Sequence, residues 1–408
     1  MSDGILAEFD SPRAWRMVAA AFLSMFTTYG IAYSFGAFFK PMLNEFGANL
    51  AGTAVVFSLT VFLWSMLGPL SGHLSDRLGP RRVMIGGAIV FGAGLIVTAH
   101  VHRLWLAYLS YGAGVGVGVA CSYVPAVSVV GGWFMRRRTM ALGVAVAGIG
   151  CGTVCVAPIA AALIDRFGWR TTYEIFGLVG TVMIIAAGAM VERAPVHAEA
   201  SQFDLRSMIA TPAFGWLYIS TMLISVALFV PFVYLPAFAR GEGASRIAAA
   251  VLVSLIGGSS VAGRLGLGAL GDRVGVVRLY QLSFVALALS YGIWLVAHSY
   301  GTLVIFTIVM GTGYGGYVAL GPAVAAHIFG TRRLGTMLGT LYTSNGLGAL
   351  VGPPLAGMII DRTGSYRWAI AFAFAAAGLS FAALVPLTRL VPAEASTASA
   401  VAPVGDPT

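Results

Sequence analysis

The chain has 408 residues, of which 58% are hydrophobic and 10% are charged, whereas a soluble globular domain has roughly 25% charged residues. This composition excludes an ordinary soluble domain and predicts an integral membrane protein. The formal net charge of +9 does not predict nucleic-acid binding, because the arginines lie in short loops between apolar stretches.

Twelve apolar stretches are long enough to cross a bilayer, which takes about 20 residues per helix. In chain order, the predicted spans 1 to 12 cover 15–39, 51–73, 83–100, 104–132, 139–163, 171–191, 211–238, 247–270, 278–297, 301–329, 335–359 and 367–389. Apolar residues run continuously in each stretch instead of alternating, which excludes a closed barrel. The predicted fold class is therefore an all-α membrane protein with twelve transmembrane helices.

Polar segments divide the chain into two bundles of six helices. Residues 1–191 form the predicted N-terminal bundle, 192–210 a cytoplasmic loop, and 211–389 the C-terminal bundle. Residues 390–408 are rich in Ala, Ser, Thr and Pro, which predicts a disordered cytoplasmic tail. Placing both termini inside puts most of the basic residues on that side, so we expect cytoplasmic termini in the inner cell membrane.

One short signature, Gly-x-x-x-Asp-Arg-x-Gly-x-x-Arg, follows both span 2 and span 8, in the same register 196 positions apart. Its members are Gly72, Asp76, Arg77, Gly79 and Arg82 in the first copy, and Gly268, Asp272, Arg273, Gly275 and Arg278 in the second. A constant offset indicates that one half of the chain was duplicated. Glycine permits a tight turn, and an aspartate at a helix end can pair with nearby arginines. We expect a clasp between helices that breaks and reforms as the halves move.

The doubled signature in a twelve-helix chain resembles the loop motif of the major facilitator superfamily. Within it, the chain is similar to the monocarboxylate transporter family in the segments 35–40 (FGAFFK), 133–138 (WFMRRR), 228–236 (LFVPFVYLP) and 262–268 (AGRLGLG). The resemblance implies two pseudo-symmetric six-helix bundles that rock about a central site. It also implies transport of small organic monocarboxylates, such as lactate and pyruvate, by alternating access.

Arg264 is the first candidate for the substrate site. It lies eight residues before Asp272, about 12 Å from the loop along the helix. A charge inside the membrane costs several kcal/mol unless it finds a partner, and no acidic residue lies in the middle of a predicted span. The resemblance implies that a substrate carboxylate pairs with this arginine. The alternative is that Arg264 snorkels to the surface or pairs with a loop carboxylate.

Three candidate positions differ from the family pattern. Ser260 stands one turn before Arg264, where eukaryotic-type members have an acidic residue used in proton coupling. Tyr33 replaces a lysine in span 1, and Asn345 replaces the lysine of oxalate/formate exchanger relatives. Proton symport and anion exchange both stay open, and one retained cation favours a single-carboxylate substrate. Asn345 has a structural alternative, a hydrogen bond to a neighbouring helix.

Tyrosines complete the predicted site. They are Tyr29, Tyr33, Tyr123, Tyr314, Tyr317 and Tyr342. Spans 1, 4, 7 and 10 line the cavity in the family that the chain resembles, so phenol groups there would orient a small acid. The alternative for each tyrosine is packing or anchoring at the membrane interface.

We expect neither a cofactor nor a metal, and no enzymatic activity, because the sequence has no cluster of metal ligands and no paired catalytic groups in the spans. The expected partners are a small organic anion, protons and the lipid bilayer, with a monomer as the functional unit. The rival functions are a carboxylate antiporter of the oxalate/formate type, an exporter of other amphiphilic solutes and a non-transporting membrane sensor.

Overall fold

The computed structural model describes residues 9–193, 209–329 and 334–387, and the regular structure in these ranges is helical. Spans 1 to 4 are Pro12–Phe46, Leu50–Leu78, Pro80–His100 and Leu104–Trp133, and spans 5 and 6 are the two parts of Arg138–Met190. Spans 7 to 12 are Pro212–Gly241, Arg246–Val274, Val276–Leu295, Tyr300–Phe329, Leu334–Thr363 and Tyr366–Leu384. Most of the predicted loop 192–210 and the predicted tail 390–408 lie outside the described residues.

Ten helices in the described ranges are long and apolar enough to cross a membrane. One of them, Met140–Met190, is interrupted at Gly168 (φ 80°, ψ 165°) and so provides spans 5 and 6. Leu334–Thr363 is not among the ten, but its 30 residues are ample for a crossing. The prediction of a twelve-span, all-helical membrane protein is therefore confirmed.

Spans 1 and 7 are each built from two helical pieces, whereas the sequence predicts single stretches. Span 1 is divided at Ser34 and span 7 at Phe229. Pro231 explains the second division, because proline has no N–H for the carbonyl of Ala227 four residues earlier. The Ala227 carbonyl instead accepts a hydrogen bond of 2.6 Å from the Tyr291 hydroxyl. Tyr33 and Phe229 occupy equivalent positions in the repeat, so both bundles bend at the same depth.

Glycines bring neighbouring helices into backbone contact. A Cβ atom at Gly94 in span 3 would lie 2.6 Å from the Ser110 carbonyl oxygen and 2.7 Å from the Gly114 Cα atom in span 4. Between the bundles, a Cβ at Gly150 in span 5 would lie 2.8 Å from the Gly257 oxygen in span 8. Small residues at such crossings are the usual solution in membranes. The crossing of spans 5 and 8 lets Arg264 reach the opposite bundle.

Two aspartates join the bundles at the end away from the signature loops. Asp361 accepts hydrogen bonds from the backbone N–H groups of Leu50 at 3.1 Å and Ala51 at 3.0 Å. Asp165 forms a salt bridge of 2.8 Å with Arg246. We call these contacts the Asp361 latch and the Asp165 latch. The two aspartates are repeat equivalents, so each bundle uses the end of its fifth helix to hold the other.

At the opposite end, several polar contacts join elements of the N-terminal bundle. Asp10 accepts hydrogen bonds from the backbone of 135–137, and Arg13 forms a salt bridge of 2.6 Å with Glu192. The Arg193 guanidinium donates to the Arg77 carbonyl at 3.4 Å. The bundles are thus latched to each other at one end, and the N-terminal bundle has a polar network of its own at the other.

Candidate functional site

Arg264 lies buried at the centre of the interface between the bundles, with 8% of its surface exposed. Its Nη1 donates to the Val146 carbonyl of span 5 at 2.8 Å, and its Cζ lies 5.5 Å from the centre of the Tyr314 ring. Nε and Nη2 are buried and have no hydrogen-bond partner among the described residues. Buried polar groups normally have partners, so these two donors are available to an anionic ligand.

The predicted alternative for Arg264, a loop carboxylate, is not the arrangement found. Within the described ranges, the salt bridges involve Arg13, Arg16, His100, Arg170 and Arg246, and all lie near helix ends. The guanidinium of Arg264 instead points across the interface to a backbone carbonyl. One donor therefore tethers the side chain while two donors keep their capacity to bind.

Tyr33 and Tyr314 connect the two bundles beside this arginine. Their hydroxyl groups are 3.0 Å apart and hydrogen-bonded, although the residues come from spans 1 and 10. The Tyr33 ring stacks on Phe232 of span 7 with 4.4 Å between centres. The Tyr314 ring carries the Arg264 guanidinium on its face. Tyr33 and Tyr314 therefore form one side of the site, and their hydroxyl groups are used in the hydrogen bond between them.

Three further tyrosines surround Arg264 with free hydroxyl groups. Tyr29, Tyr123 and Tyr342 lie within electrostatic range of the guanidinium. The rings of Tyr29 and Tyr123 are 5.8 Å apart in an edge-to-face arrangement. None of the three hydroxyls makes a hydrogen bond to another residue that the structure describes. These phenols are the neutral donors that a bound acid would meet next to the arginine.

Asn345 is held by two donors, as its structural alternative predicts. The Tyr317 hydroxyl donates to Oδ1 at 2.7 Å, and the Ser225 hydroxyl donates to the same atom at 3.1 Å. Its Nδ2 has no partner within the described part of the chain. Tyr317 packs on Tyr280 and Phe284 and is buried, so its hydroxyl positions Asn345.

Ser260 is part of helix packing. It is buried, and its hydroxyl donates to the Gly257 carbonyl of the same helix at 2.9 Å. Its carbonyl oxygen lies against Gly315 of span 10, where there is no room for a side chain. The Ser260 hydroxyl is therefore already hydrogen-bonded, and no acidic group stands at the position where the family pattern has one.

Trp64 and Phe232 belong to the site but are absent from the predicted set. Trp64 lies 5.4 Å from Tyr29 and 6.1 Å from Tyr33 between ring centres. The repeat contains a signal for it, because Trp64 is the equivalent of Ser260 and Gly68 is the equivalent of Arg264. Comparing residues 196 apart in the two halves singles out Arg264, which has a glycine as its counterpart. The same comparison singles out Trp64 on span 2, which has a serine as its counterpart.

The signature loops have the predicted turns, and the first lacks its predicted pairing. Gly79 and Gly275 have φ values of 92° and 96°, which favour glycine. Asp76 is exposed and makes no ion pair with a described residue. The second half of the clasp cannot be compared, since the side chains of Asp272 and Arg273 lie outside the described set.

The remaining signature residues lie around these turns. Gly72 packs near Val124, whereas Gly268 faces open space. Arg82 and Arg278 are exposed at the starts of spans 3 and 9. Their side chains are therefore accessible to a partner helix that approaches this end.

Comparison with known proteins places the chain in a family. The sequence profile of the Major Facilitator Superfamily matches residues 20–275 and 243–406. Monocarboxylate transporter 3 of Rattus norvegicus is 32% identical over 375 residues, which cover 88% of this chain and 76% of that protein. Monocarboxylate transporter 13 of Rattus norvegicus is 28% identical over 377 residues, covering 90% and 88%.

Solved structures share the fold. A bacterial homolog of the human lysosomal transporter Spinster, inward-facing and occupied, superposes with a TM-score of 0.78 at 16% identity, covering 93% of this chain and 98% of that one. The nucleoside transporter NupG gives a TM-score of 0.72 at 13% identity, covering 92% and 99%. The chain belongs to the major facilitator superfamily, as a multi-pass membrane transporter related to the monocarboxylate transporters.

Proposed function

We propose that this transporter carries small organic monocarboxylates and that Arg264 binds the carboxylate group. The observation that carries the proposal is the buried guanidinium with two unpartnered donors, Nε and Nη2. A guanidinium edge matches a carboxylate through two parallel hydrogen bonds, and the charge pair removes the cost of an isolated buried cation. The relatives named monocarboxylate transporters support the same class of substrate.

Transport proceeds by alternating access in this proposal. The Asp165 and Asp361 latches close one end, and the similar Spinster homologue structures are inward-facing. With the signature loops on the cytoplasmic side of the inner membrane, the latched end is the outer one, and the site opens inward. Opening to the outside then requires both latches to break, while Asp76 finds its partners as the inner end closes.

Anion exchange is a second candidate for the coupling mode, beside proton symport. The Ser260 hydroxyl is used within its own helix, and no carboxylate bonds Arg264 in the described ranges. The empty site therefore keeps an uncompensated cation, which makes the occluded state costlier without an anion than with one. Exchange predicts acceleration by anion on the opposite side, whereas symport predicts acceleration by an inward proton gradient.

Uptake into proteoliposomes tests the proposal. The panel comprises lactate, pyruvate, formate, oxalate and branched acids, each with and without a pH gradient and an internal anion. Arg264→Gln removes a charge-assisted pair and should lower carboxylate uptake by about 10- to 100-fold. The matched control is Arg103→Gln, since Arg103 is exposed between spans 3 and 4.

The outcomes of this panel separate the rivals. Carboxylate uptake that survives in the Arg264→Gln variant would contradict the proposal. Transport of uncharged amphiphiles, with no carboxylate uptake, would indicate an exporter of other solutes. Carboxylate binding without any flux would indicate a sensor with the fold of a transporter.

A further inference from the structure

We infer that the site beside Arg264 takes a carboxylate with an aromatic body, and that Trp64 selects this class of substrate. The inference rests on the proposed function, because it assumes that Arg264 holds the carboxylate. It concerns a group of rings beside the arginine, two of which have phenols within electrostatic range of the guanidinium. This aromatic face consists of Tyr29, Trp64 and Tyr123.

The rings of the aromatic face are in contact through Tyr29. The centre of the Tyr29 ring lies 5.4 Å from Trp64 and 5.8 Å from Tyr123. These separations lie in the range in which aromatic rings attract through edge-to-face and offset geometries. A further flat ring placed against this group would continue the same pattern of contacts.

Trp64 is only partly buried, although its ring neighbours are buried. Tyr33, Phe57 and Phe229 surround it on spans 1, 2 and 7, at the interface of the two bundles. Its ring therefore lies among residues of both bundles. The indole N–H makes no hydrogen bond to a residue that the structure describes, whereas that of Trp133 donates to the Glu192 carbonyl. A ligand in the site meets both a ring edge and a free donor.

The repeat places this indole one helical turn from the position that corresponds to the arginine. Trp64 is equivalent to Ser260, and Gly68 is equivalent to Arg264, so spans 2 and 8 present these positions at the same depth from opposite bundles. Gly68 leaves space there, since the nearest atom to a Cβ built on it is the Val124 Cγ2 at 3.5 Å. The span 8 side is therefore cationic, and the span 2 side is aromatic with a gap beside it.

Tyr29 connects the two sides. It contacts the Trp64 ring, and its phenol lies within electrostatic range of Arg264. In this inference, the carboxylate of the substrate pairs with Arg264 and its aryl body lies along Tyr29 against Trp64. An acid without a ring, such as lactate, lacks the group that makes this second contact. This difference makes Trp64 a specificity-determining residue.

Competition against radiolabelled carboxylate uptake in proteoliposomes tests the inference with matched acids. The pairs are 3-phenyllactate with lactate, and phenylacetate with cyclohexylacetate. In the wild type, area burial and ring stacking should make 3-phenyllactate compete at least about tenfold better than lactate. Ring stacking alone should make phenylacetate compete about two- to tenfold better than cyclohexylacetate. Trp64→Leu should remove this advantage, while Trp64→Phe should keep most of it. Trp105→Leu is the control, because Trp105 is 53% exposed and lies outside the site.

A binding readout accompanies the competition. Phenylacetate should quench the tryptophan fluorescence of purified wild type under excitation that the acid does not absorb. The same quench should be absent in the folded Trp64→Phe variant, although seven other tryptophans of the eight remain. The fluorescence measurement tests whether Trp64 contacts the ligand even if the Trp64→Leu variant fails to fold.

Several results would overturn the inference. Equal competition by 3-phenyllactate and lactate, or by phenylacetate and cyclohexylacetate, would exclude a preference for aromatic bodies. An unchanged quench in Trp64→Phe would remove Trp64 from the site. Failure of the proposed function has a different pattern, in which Arg264→Gln still transports the phenyl acids while Trp64→Leu still removes their advantage.

Discussion

At the scale of single residues, the site divides its polar groups into those used by the protein and those left for a ligand. The hydroxyls of Tyr33 and Tyr314 bond each other, and the Asn345 oxygen accepts from Tyr317 and Ser225. Two donors of the Arg264 guanidinium have no partner among the described residues. The sequence identifies the arginine because a charge in an apolar span is expensive. The sequence does not show which polar groups bond each other, because the partners come from spans that are distant in the chain.

The Tyr317 hydroxyl gives a prediction at this scale. Tyr317→Phe removes one of two donors to the Asn345 oxygen, at 2.7 Å. A buried hydrogen bond contributes about 1 kcal/mol, so we expect KM for the carboxylate to rise roughly three- to tenfold as the amide loosens. Initial uptake rates at varied substrate concentration measure it. Tyr280→Phe is the control, because Tyr280 packs on the same ring, and an equal rise in both variants would contradict the positioning role.

At the scale of helices, hydropathy predicts where the spans lie but not where they bend. The apolar stretch of span 7 includes Pro231, and the bend follows because the Ala227 carbonyl loses its helical partner and finds the Tyr291 hydroxyl. Span 1 bends at Ser34 without a proline at that point, so its sequence contains no comparable signal. Contacts between spans, such as Tyr33 with Tyr314, depend on these bends and were not predictable. The place of Trp64 in the site is predictable only when apolar residues, as well as polar ones, are compared with their counterparts 196 residues along the chain.

Packing of spans 3 and 4 gives a prediction for the helices. A Cβ at Gly94 meets backbone atoms of Ser110 and Gly114, which cannot move independently. Gly94→Ala should destabilise the protein by about 1–3 kcal/mol through overpacking, seen as a lower midpoint of thermal unfolding in detergent. Gly86→Ala is the control, since nothing lies within 4 Å of a Cβ there. Equal midpoints for the two variants would disprove the tight crossing.

The start of span 5 gives a second prediction. Desolvation raises the pKa of Asp10, but hydrogen bonds from the backbone of Arg136, Arg137 and Met135 outweigh it and hold the pKa below its ordinary value of 3.8. Because the folded pKa is the lower one, the contribution to stability is present above pH 4 and is lost as the pH falls through the folded value.

Amide hydrogen exchange at 135–137, corrected for intrinsic rates, measures this contact. Asp10→Asn should lower protection at pH 7, and the wild type should lose the same protection only below pH 4. A difference between the two proteins that persists at pH 2 would contradict the assignment. Glu242→Gln is the control, because Glu242 is an exposed carboxylate at the end of span 7.

At the scale of the whole molecule, the duplicated halves share the same arrangement of helices, but the candidate site residues Arg264 and Trp64 are not repeated in both halves. Asp165 and Asp361 are equivalent and hold the same end closed, one on Arg246 and the other on backbone N–H groups. Arg264 and Trp64 have Gly68 and Ser260 as their equivalents. The fold was therefore predictable from hydropathy and the repeat, whereas the site at the positions where the symmetry fails stays a prediction.

The latches predict how the halves move. Asp165→Asn and Asp361→Asn each weaken a contact worth up to about 1 kcal/mol, so each should shift the population of the unlatched state roughly fivefold. Spin labels at Asn44 and Thr363, both exposed near the latched end, measure this shift in pulsed electron paramagnetic resonance. A larger unlatched population appears as a longer distance between the two labels. Glu242→Gln should leave the distances unchanged. Unchanged distances in the double latch variant would show that other contacts keep this end closed.

Binding of the substrate carboxylate by Arg264 can be measured on its own, without transport. The experiment is equilibrium binding of a radiolabelled monocarboxylate to purified wild type, Arg264→Gln and Arg264→Lys. We expect saturable binding to the wild type, loss of binding in Arg264→Gln, and weakened binding in Arg264→Lys, which keeps the charge but not the two parallel donors. Equal affinity in the wild type and Arg264→Gln would show that Arg264 does not bind the carboxylate.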